Sequence, residues 1–570
     1  MTETRNLEPR NPARENPGTP EPRNHQRHVI SHPSPFALAS HRMPIYLGFD
    51  SSTQGLTAMA VDVRARQIVW QHVLTYDEAL PEYGTRHGVL ASADPSIAES
   101  SPLMWADALD RIIGIAAASR RFDLADVAAV SGAAQQHGSV YLNARAAERL
   151  ARLDPERPLA SQLTDIRSRD RSPIWMDTST TPQCAAITQQ VGDSAALTRL
   201  TGSRAFERFT GPQIRKFAET DPDAYARTDR IHLVSSFLAS VLIGGHAPLD
   251  PGDASGMNLM DLESRGWAAR ALDATAPGLA AKLPDIVASF VVVGQLSPYW
   301  VERYGLPAAR VIAWTGDNPS SLVGTGLVRE GDIAVSLGTS DTVFGVMDTL
   351  RVDLSGAAHV FGAPTGGYMG LTCFRNGSLA RERVRDEFRL TWDGFSRALR
   401  GSPAGNNGGL MVPWFEPEIT PPVRDPGVRR KGIDPADAHS NVRGVIEGQM
   451  MAMANHSRWM GVGVETIFAT GGASANRDIL QVMADVFGAP VHQLAVGNSA
   501  CLGAALRAWH GDAQAEGRPI EWADVIRGFV APRPDGPIRP VPEHVSIYGE
   551  LKARYAELEG LTPSNRSMTS

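Results

Sequence analysis

The sequence predicts an α/β protein built from two similar lobes. Three observations carry that expectation. The chain has 570 residues, more than one hydrophobic core comfortably organises, so two domains are the minimum. A strand–turn–strand signature occurs once in each half. Late in the second half, a strand runs into paired glycines and then a helix.

The first signature is the apolar run Ile45–Asp50, followed by Ser51-Ser52-Thr53-Gln54-Gly55 and a second run from Leu56 to Val61. Its counterpart is Ile333–Leu337, then Gly338-Thr339-Ser340-Asp341, then Thr342–Val346. Each reads as a β-hairpin closed by small hydroxyl and glycine residues. One such hairpin is only a hairpin; two, each near the start of a domain-sized stretch, read as a duplicated lobe. Turns of this kind can hold phosphate, because N–H groups and hydroxyls converge and glycine lets the backbone approach. Asp50 adds a hard carboxylate at the end of a buried strand, suited to Mg²⁺ or its waters.

The third feature is Glu465–Asn476, in which an apolar strand enters Gly471-Gly472 and Asn476 precedes the helical pattern of Ile479, Leu480, Val482, Met483 and Val486. Gly488 ends that helix. A glycine pair here admits a flat ring or a phosphate near a helix N-terminus, and it is equally a common packing device. The small residues of Asn498–Ala505 predict close helix packing and a structural role.

Val311–Pro319 is an apolar strand ending in Gly316-Asp317-Asn318-Pro319, with a helix expected to start at Asn318-Pro319. Asp317 or Asn318 reads as a helix cap; beside two phosphate turns, Asp317 also reads as a general base for transfer to a hydroxyl. Three further segments suit a polyol: Gln135-Gln136-His137, Trp175-Met176-Asp177, and Arg204 to Arg208 around Phe206. Amides, carboxylates and guanidinium groups bind sugar hydroxyls, while an aromatic ring packs on the C–H face. Each segment alone reads equally as core or interface.

Composition excludes other classes. A net charge of −7 lacks the basic surplus of nucleic-acid binders. The three cysteines, Cys184, Cys373 and Cys501, have no metal spacing and read as buried small hydrophobes in a reducing compartment. No apolar run reaches membrane-span length. Residues 1–42, rich in proline and mixed charge, are expected to be disordered, with translation from Met43 as the simpler alternative to a targeting peptide. A C-terminal extension over 531–570 ends in a short helix near Tyr548–Leu558.

In order, Leu47–Gln54, Gln135–Gly138, Trp175–Asp177, Thr315–Pro319, Ser336–Asp341 and Ala469–Asn476 resemble the motifs of the FGGY carbohydrate kinases. Leu200–Gly211 and Asp253–Leu259 resemble the longer, xylulose-phosphorylating type of animals and plants. The resemblance covers roughly residues 44–530. It implies two ribonuclease-H-like lobes of the kind found in actin, hexokinase and Hsp70 ATPases. Residues 1–43 would precede an N-terminal sugar-binding lobe over 44–325 and a nucleotide lobe over 326–530. It further implies phosphorylation of D-xylulose to D-xylulose 5-phosphate by ATP with Mg²⁺, in a cytoplasmic enzyme with a homodimer as the expected assembly.

Carried onto this sequence, the resemblance makes Asp317 the base and Asp50 the metal carboxylate. Asp317, Asn318, His137 and Arg208 would hold the sugar, alongside Gln136, Trp175 and Asp177. Thr53, Gly338 and Thr339 would line the phosphates, and Gly471, Gly472, Ala473 and Asn476 the adenosine. Trp392, which the residues alone read as core, falls near the nucleotide. Thr57 stands where many relatives carry a basic residue, which predicts weaker ATP binding. Kinases for ribulose or glycerol, a chaperone or filament ATPase, and a sugar-sensing pseudokinase are the competing readings.

Overall fold

The computed structural model describes residues 44–494, 497–530 and 535–560. The readings of residues 1–42 and of Met43 lie outside the described residues. The first sheet contains β1 (Ile45–Ser51), β2 (Gly55–Asp62), β3 (Gln67–Thr75), β4 (Val127–Ala134), β5 (Val292–Gln295), β6 (Arg310–Ile312) and β7 (Thr315–Gly316). Its order is β3-β2-β1-β4-β6-β5, with β7 beside β4. The β1–β2 pair is antiparallel, and β4 runs parallel to β1. The second sheet contains β8 (Asp332–Leu337), β9 (Asp341–Met347), β10 (His359–Gly362), β11 (Tyr368–Phe374), β12 (Thr466–Thr470) and β13 (Val491–Gln493), in the order β10-β11-β9-β8-β12-β13.

In both sheets the hairpin lies on one side of its first strand and parallel strands lie on the other. The duplicated hairpin therefore marks a duplicated lobe, as the sequence predicts. Helix α1 (Pro102–Ser119) covers the first sheet. Its buried Met104, Trp105, Ala108, Leu109 and Ile112 recur at helical spacing and form one apolar face.

Two helices join the lobes. Helix α2 (Asp317–Gly324) follows β7 directly. Further along come α3 (Ala438–His456), α4 (Arg477–Phe487), α5 (Ser499–Ala515) and α6 (Pro542–Leu558). Although α5 follows the second sheet in the chain, its Cys501, Leu502, Ala505 and Leu506 pack with Tyr46, Met59, Ala129 and Ile312 of the first. It crosses α2 where a Cβ on Gly503 would overlap the Ser320 carbonyl and one on Gly324 would overlap the Ser499 carbonyl. No side chain fits, so the helices meet backbone to backbone, the structural role expected of this small-residue run.

Beneath the first sheet, α5 also supplies Arg507, which is 1% exposed. Its guanidinium donates to the Gly132 carbonyl at 3.1 Å and to the Ala313 carbonyl. Ala313 sits in the break between β6 and β7, where a carbonyl left out of the ladder needs a donor. That break delivers Asp317 to the sheet edge.

Three sequence expectations are corrected here. The helix after β7 is capped by Gly316 and opens with Asp317 itself, so Pro319 is its third residue. The C-terminal helix is longer than expected because Pro542 starts it. Among the cysteines, Cys184 and Cys501 are buried, but Cys373 is only partly so, and all are free. No helix among the described residues is long and apolar enough to cross a membrane.

Candidate active site

The carboxyl ends of parallel strands are where open α/β sheets bind ligands, and the first lobe gathers its chemistry there. Asp50 on β1 is in register with Ala133 on β4, and Gly316 on β7 with Ala134. Asp50 and Asp317 thus flank the end of β4, about 10 Å apart along the backbone by ordinary strand spacing. Gln135, Gln136 and His137 emerge between them.

Asp317 has its Oδ1 engaged by the Asn318 N–H at 2.8 Å and the Asn318 amide at 3.1 Å. The Asn318 amide also donates to Gln136 Oε1 at 3.0 Å. Burial pushes the Asp317 carboxyl up to about 6, although N–H groups of Asn318 and Gln136 oppose the rise. Burial, with the neighbouring charge of Asp317 adding, pushes Asp50 up to about 8. Asp50 Oδ1 is buried with no hydrogen-bond partner, and so are both polar atoms of the Gln135 side chain. Buried polar atoms are seldom left unmatched. An unmatched carboxylate oxygen beside a second acid fits a hydrated divalent cation.

His137 adopts φ of +72°, which turns its ring back against Phe209 with centroids 4.5 Å apart. Its Nδ1 lies 2.6 Å from the Gly256 carbonyl, so Nδ1 carries the proton and Nε2 is left as an acceptor. Burial lowers its pKa to about 3, keeping the ring neutral. Arg208 donates from Nη2 to His359 Nε2 at 3.1 Å. An arginine can only donate, so His359 is protonated at Nδ1, which donates to Ser203 Oγ at 3.1 Å.

Trp175 is 43% exposed, and its indole N–H donates to Thr53 Oγ1 at 2.7 Å, which puts it beside the first turn. Asp177 is different. Its carboxylate accepts from Ala98 N, Ser179 N, Ser179 Oγ and Gln213 Nε2. The protein's own donors fill its lone pairs, so this acid braces the Trp175 segment.

The second lobe presents its turn with Thr339 exposed and the Gly338 carbonyl held by Ser378 N at 2.9 Å and Arg381 Nη2 at 3.2 Å. Gly471 has φ of +83°, and a Cβ there would lie 2.5 Å from the Leu337 carbonyl. Only glycine lets β12 turn this close to β8. Gly472 faces open space, and Ala473 packs partly against the core. Asn476 caps α4 through Asp478 N and Ile479 N, while its amide donates to Ser396 Oγ at 2.8 Å. Ser396 lies on the helix Trp392–Gly401, which ties that helix to the glycine pair. Trp392 is 46% exposed, not core, with Arg385 stacked 4.5 Å from its ring.

Residues the sequence did not single out hold these groups in place. Asp250 accepts from Thr315 Oγ1 at 2.7 Å and Ser289 Oγ at 2.6 Å, fixing the strand that leads to Asp317. Arg381 grips Asp341 with two bonds of 2.8 and 3.0 Å. Neither has a local sequence signal: Arg381 lies in the charged run Arg381–Glu387, and Asp250 beside Pro251-Gly252-Asp253.

Two lobes of one topology, joined by paired helices and carrying a bare carboxylate beside the first hydroxyl-rich turn, are the architecture of two-lobed ATP-dependent phosphotransferases. Residues 170–324 match the model of the N-terminal domain of the FGGY family of carbohydrate kinases, and residues 333–511 match that of its C-terminal domain. The chain belongs to the FGGY family of carbohydrate kinases. It is 45% identical to a xylulose kinase of Mus musculus over 90% of this chain and 93% of that one. It is 43% identical to xylulose kinase 2 of Arabidopsis thaliana over 82% and 87%. Among solved structures, a xylulose kinase from Rhodospirillum rubrum superposes with a TM-score of 0.75 at 19% identity, covering 90% of this chain and 98% of that one. A gluconate kinase from Lactobacillus acidophilus gives 0.74 at 19% identity, covering 92% and 99%.

Proposed function

We propose that this kinase phosphorylates D-xylulose at its terminal O5 hydroxyl, with Asp317 as general base. The observation that carries the mechanism is the Asp317 carboxyl, raised toward neutrality by burial and held by Asn318, whose amide also reaches Gln136. The sugar's identity is supported by the xylulose kinases of mouse and Arabidopsis that the chain resembles over most of its length.

Sugar sits within residues 44–325 and nucleotide against residues 326–530. His137 Nε2 accepts from one hydroxyl, while Arg208 and the Asn318 and Gln136 amides fix others. Asp317 takes the O5 proton as that oxygen bonds to the γ-phosphorus, and the bond to the β,γ-bridging oxygen breaks to release ADP. Thr53 and Gly338-Thr339 grip the phosphates from two sides, and Gly471, Gly472, Ala473 and Asn476 receive the adenosine. Asp50 would hold Mg²⁺ through its unmatched oxygen, and the ion would supply charge neutralisation at the phosphates. Closure of the lobes excludes water, which otherwise competes as nucleophile.

A coupled ADP-release assay against D-xylulose, L-xylulose, D-ribulose, L-ribulose, D-fructose, gluconate and glycerol tests the reading. Highest kcat/KM on D-xylulose is expected. Preference for another polyol would overturn the substrate while keeping the base, and silence across the panel would overturn the reaction.

A further inference from the structure

A second cavity, about 360 Å³ in volume, opens where Arg204, Phe206 and Arg208 of the first lobe face Arg375, Glu418 and Arg424 of the second. That size falls in the range of small-ligand sites. Among the described residues, none of its four guanidinium groups has a carboxylate partner. Arg204 donates Nε to the Gly356 carbonyl at 3.1 Å and stacks 4.2 Å from the Phe206 ring. Arg208 bonds only to neutral His359. The side chains of Arg375 and Arg424 are exposed and make no ion pair among the described residues.

The one acid in the wall offsets only one of the four charges. Glu418 accepts from the backbone N–H of Arg375 at 2.6 Å, of Asn376 at 3.2 Å and of Ile419 at 2.7 Å, and from the Asn376 amide at 2.8 Å. Its lone pairs are committed to holding the loop. The cavity is therefore a concave surface with net positive charge, four guanidinium groups against one carboxylate, contributed by both lobes.

We propose that this cavity is a binding site for a small phosphorylated sugar, distinct from the phosphate turns. Guanidinium forks match phosphate oxygens two at a time, and several converging on one dianion give both affinity and selectivity over neutral sugars. The Phe206 ring supplies an apolar face for the C–H side of the polyol, which bare phosphate cannot use. Because the walls come from both lobes, an occupant links them. Arg208 is shared with the proposed sugar site, so occupancy is sensed there. The binding itself does not depend on which sugar the enzyme phosphorylates.

Isothermal calorimetry on the full chain tests this with D-ribose 5-phosphate, D-glucose 6-phosphate and inorganic phosphate, and requires no turnover. The sugar phosphates are expected to bind more tightly than inorganic phosphate. A saturating non-hydrolysable ATP analogue should not displace them. Arg375→Gln with Arg424→Gln should weaken binding by about 10-fold or more, the size expected for lost charge-assisted hydrogen bonds. Both residues are exposed and outside the proposed machinery, so kcat without sugar phosphate should be unchanged and report an intact fold. Equal affinity for inorganic phosphate would overturn the sugar-phosphate assignment. Absence of heat at millimolar ligand, displacement by the ATP analogue, or unchanged affinity in the double variant would overturn the site.

Discussion

Each lobe turns a hairpin beside an aspartate, and the two aspartates have opposite fates. Asp341 opens β9 and is clamped by Arg381 through two bonds, with Gln449 accepting from the same guanidinium at 3.0 Å. Asp50 closes β1, has one oxygen with no partner, and faces a second acid instead of a base. One carboxylate has become part of the frame of its turn. The other is held charged or neutral only by what binds beside it. Equal topology thus leaves one lobe with an unmatched carboxylate oxygen and the other with a braced carboxylate.

The comparison breaks most sharply at Arg381. Arg381→Ala strands a buried carboxylate, so denaturant unfolding should show a loss of about 3–5 kcal/mol. If stability is unchanged, Asp341 is not a strut. Asp317→Ala should lower kcat by about 10²-fold or more with the fold intact by circular dichroism, as for loss of a general base. Near-normal turnover would remove Asp317 from that role. In the wild type, the acid limb of kcat/KM should fall near pH 6, where Asp317 gains its proton.

Asp50 sharpens the contrast through pH. Its folded pKa is raised above the unfolded one, so the native state binds the extra proton between the usual carboxylate range and about pH 8. The metal-free protein should therefore lose stability as pH rises through that window, and the loss is complete above it. Asp50→Asn should remove much of this slope and melt higher above pH 8, by about 1–2 kcal/mol, while activity falls. Matching pH profiles for variant and wild type would contradict the reading. The smallest effect is expected at Thr57, which lies directly across from Asp50 in the β1–β2 ladder. Thr57→Lys supplies the missing opposite charge, so KM for ATP should fall a few-fold and the Asp50-linked pH dependence should move down.

Features written in adjacent residues were legible in the sequence. Both hairpins, the turn at Gly471-Gly472, the Asn476 cap and the stop at Gly488 are local, because each depends on backbone freedom or a hydrogen bond a few residues away. Gathering Asp50, His137 and Asp317 at one sheet edge was readable only through an ordered set of motifs. What escaped depends on long-range pairing. The Asp341–Arg381 clamp spans 40 residues, and Arg507 reaches Gly132 across 375. Helix α5 returns to the first sheet by packing against strands laid down far earlier. Periodicity describes which face of α5 is buried, not which sheet buries it. Exposure of Trp392 was misjudged from residues alone because an aromatic near the start of an amphipathic helix fits core and cleft equally well.

The bare crossing of α2 and α5 bears on how such a machine can open. Side chains elsewhere in the interface can change rotamer to absorb a shift, but Gly324 and Gly503 have none to move. The crossing is accordingly a fulcrum: relative motion of the lobes becomes rotation about that point, with little sliding. Asp317 rides at one end of α2, and β1, which carries Asp50, rests on α5, so both acids sit close to the axis and travel little. Rotation about that point would leave the spacing of Asp50 and Asp317 nearly unchanged.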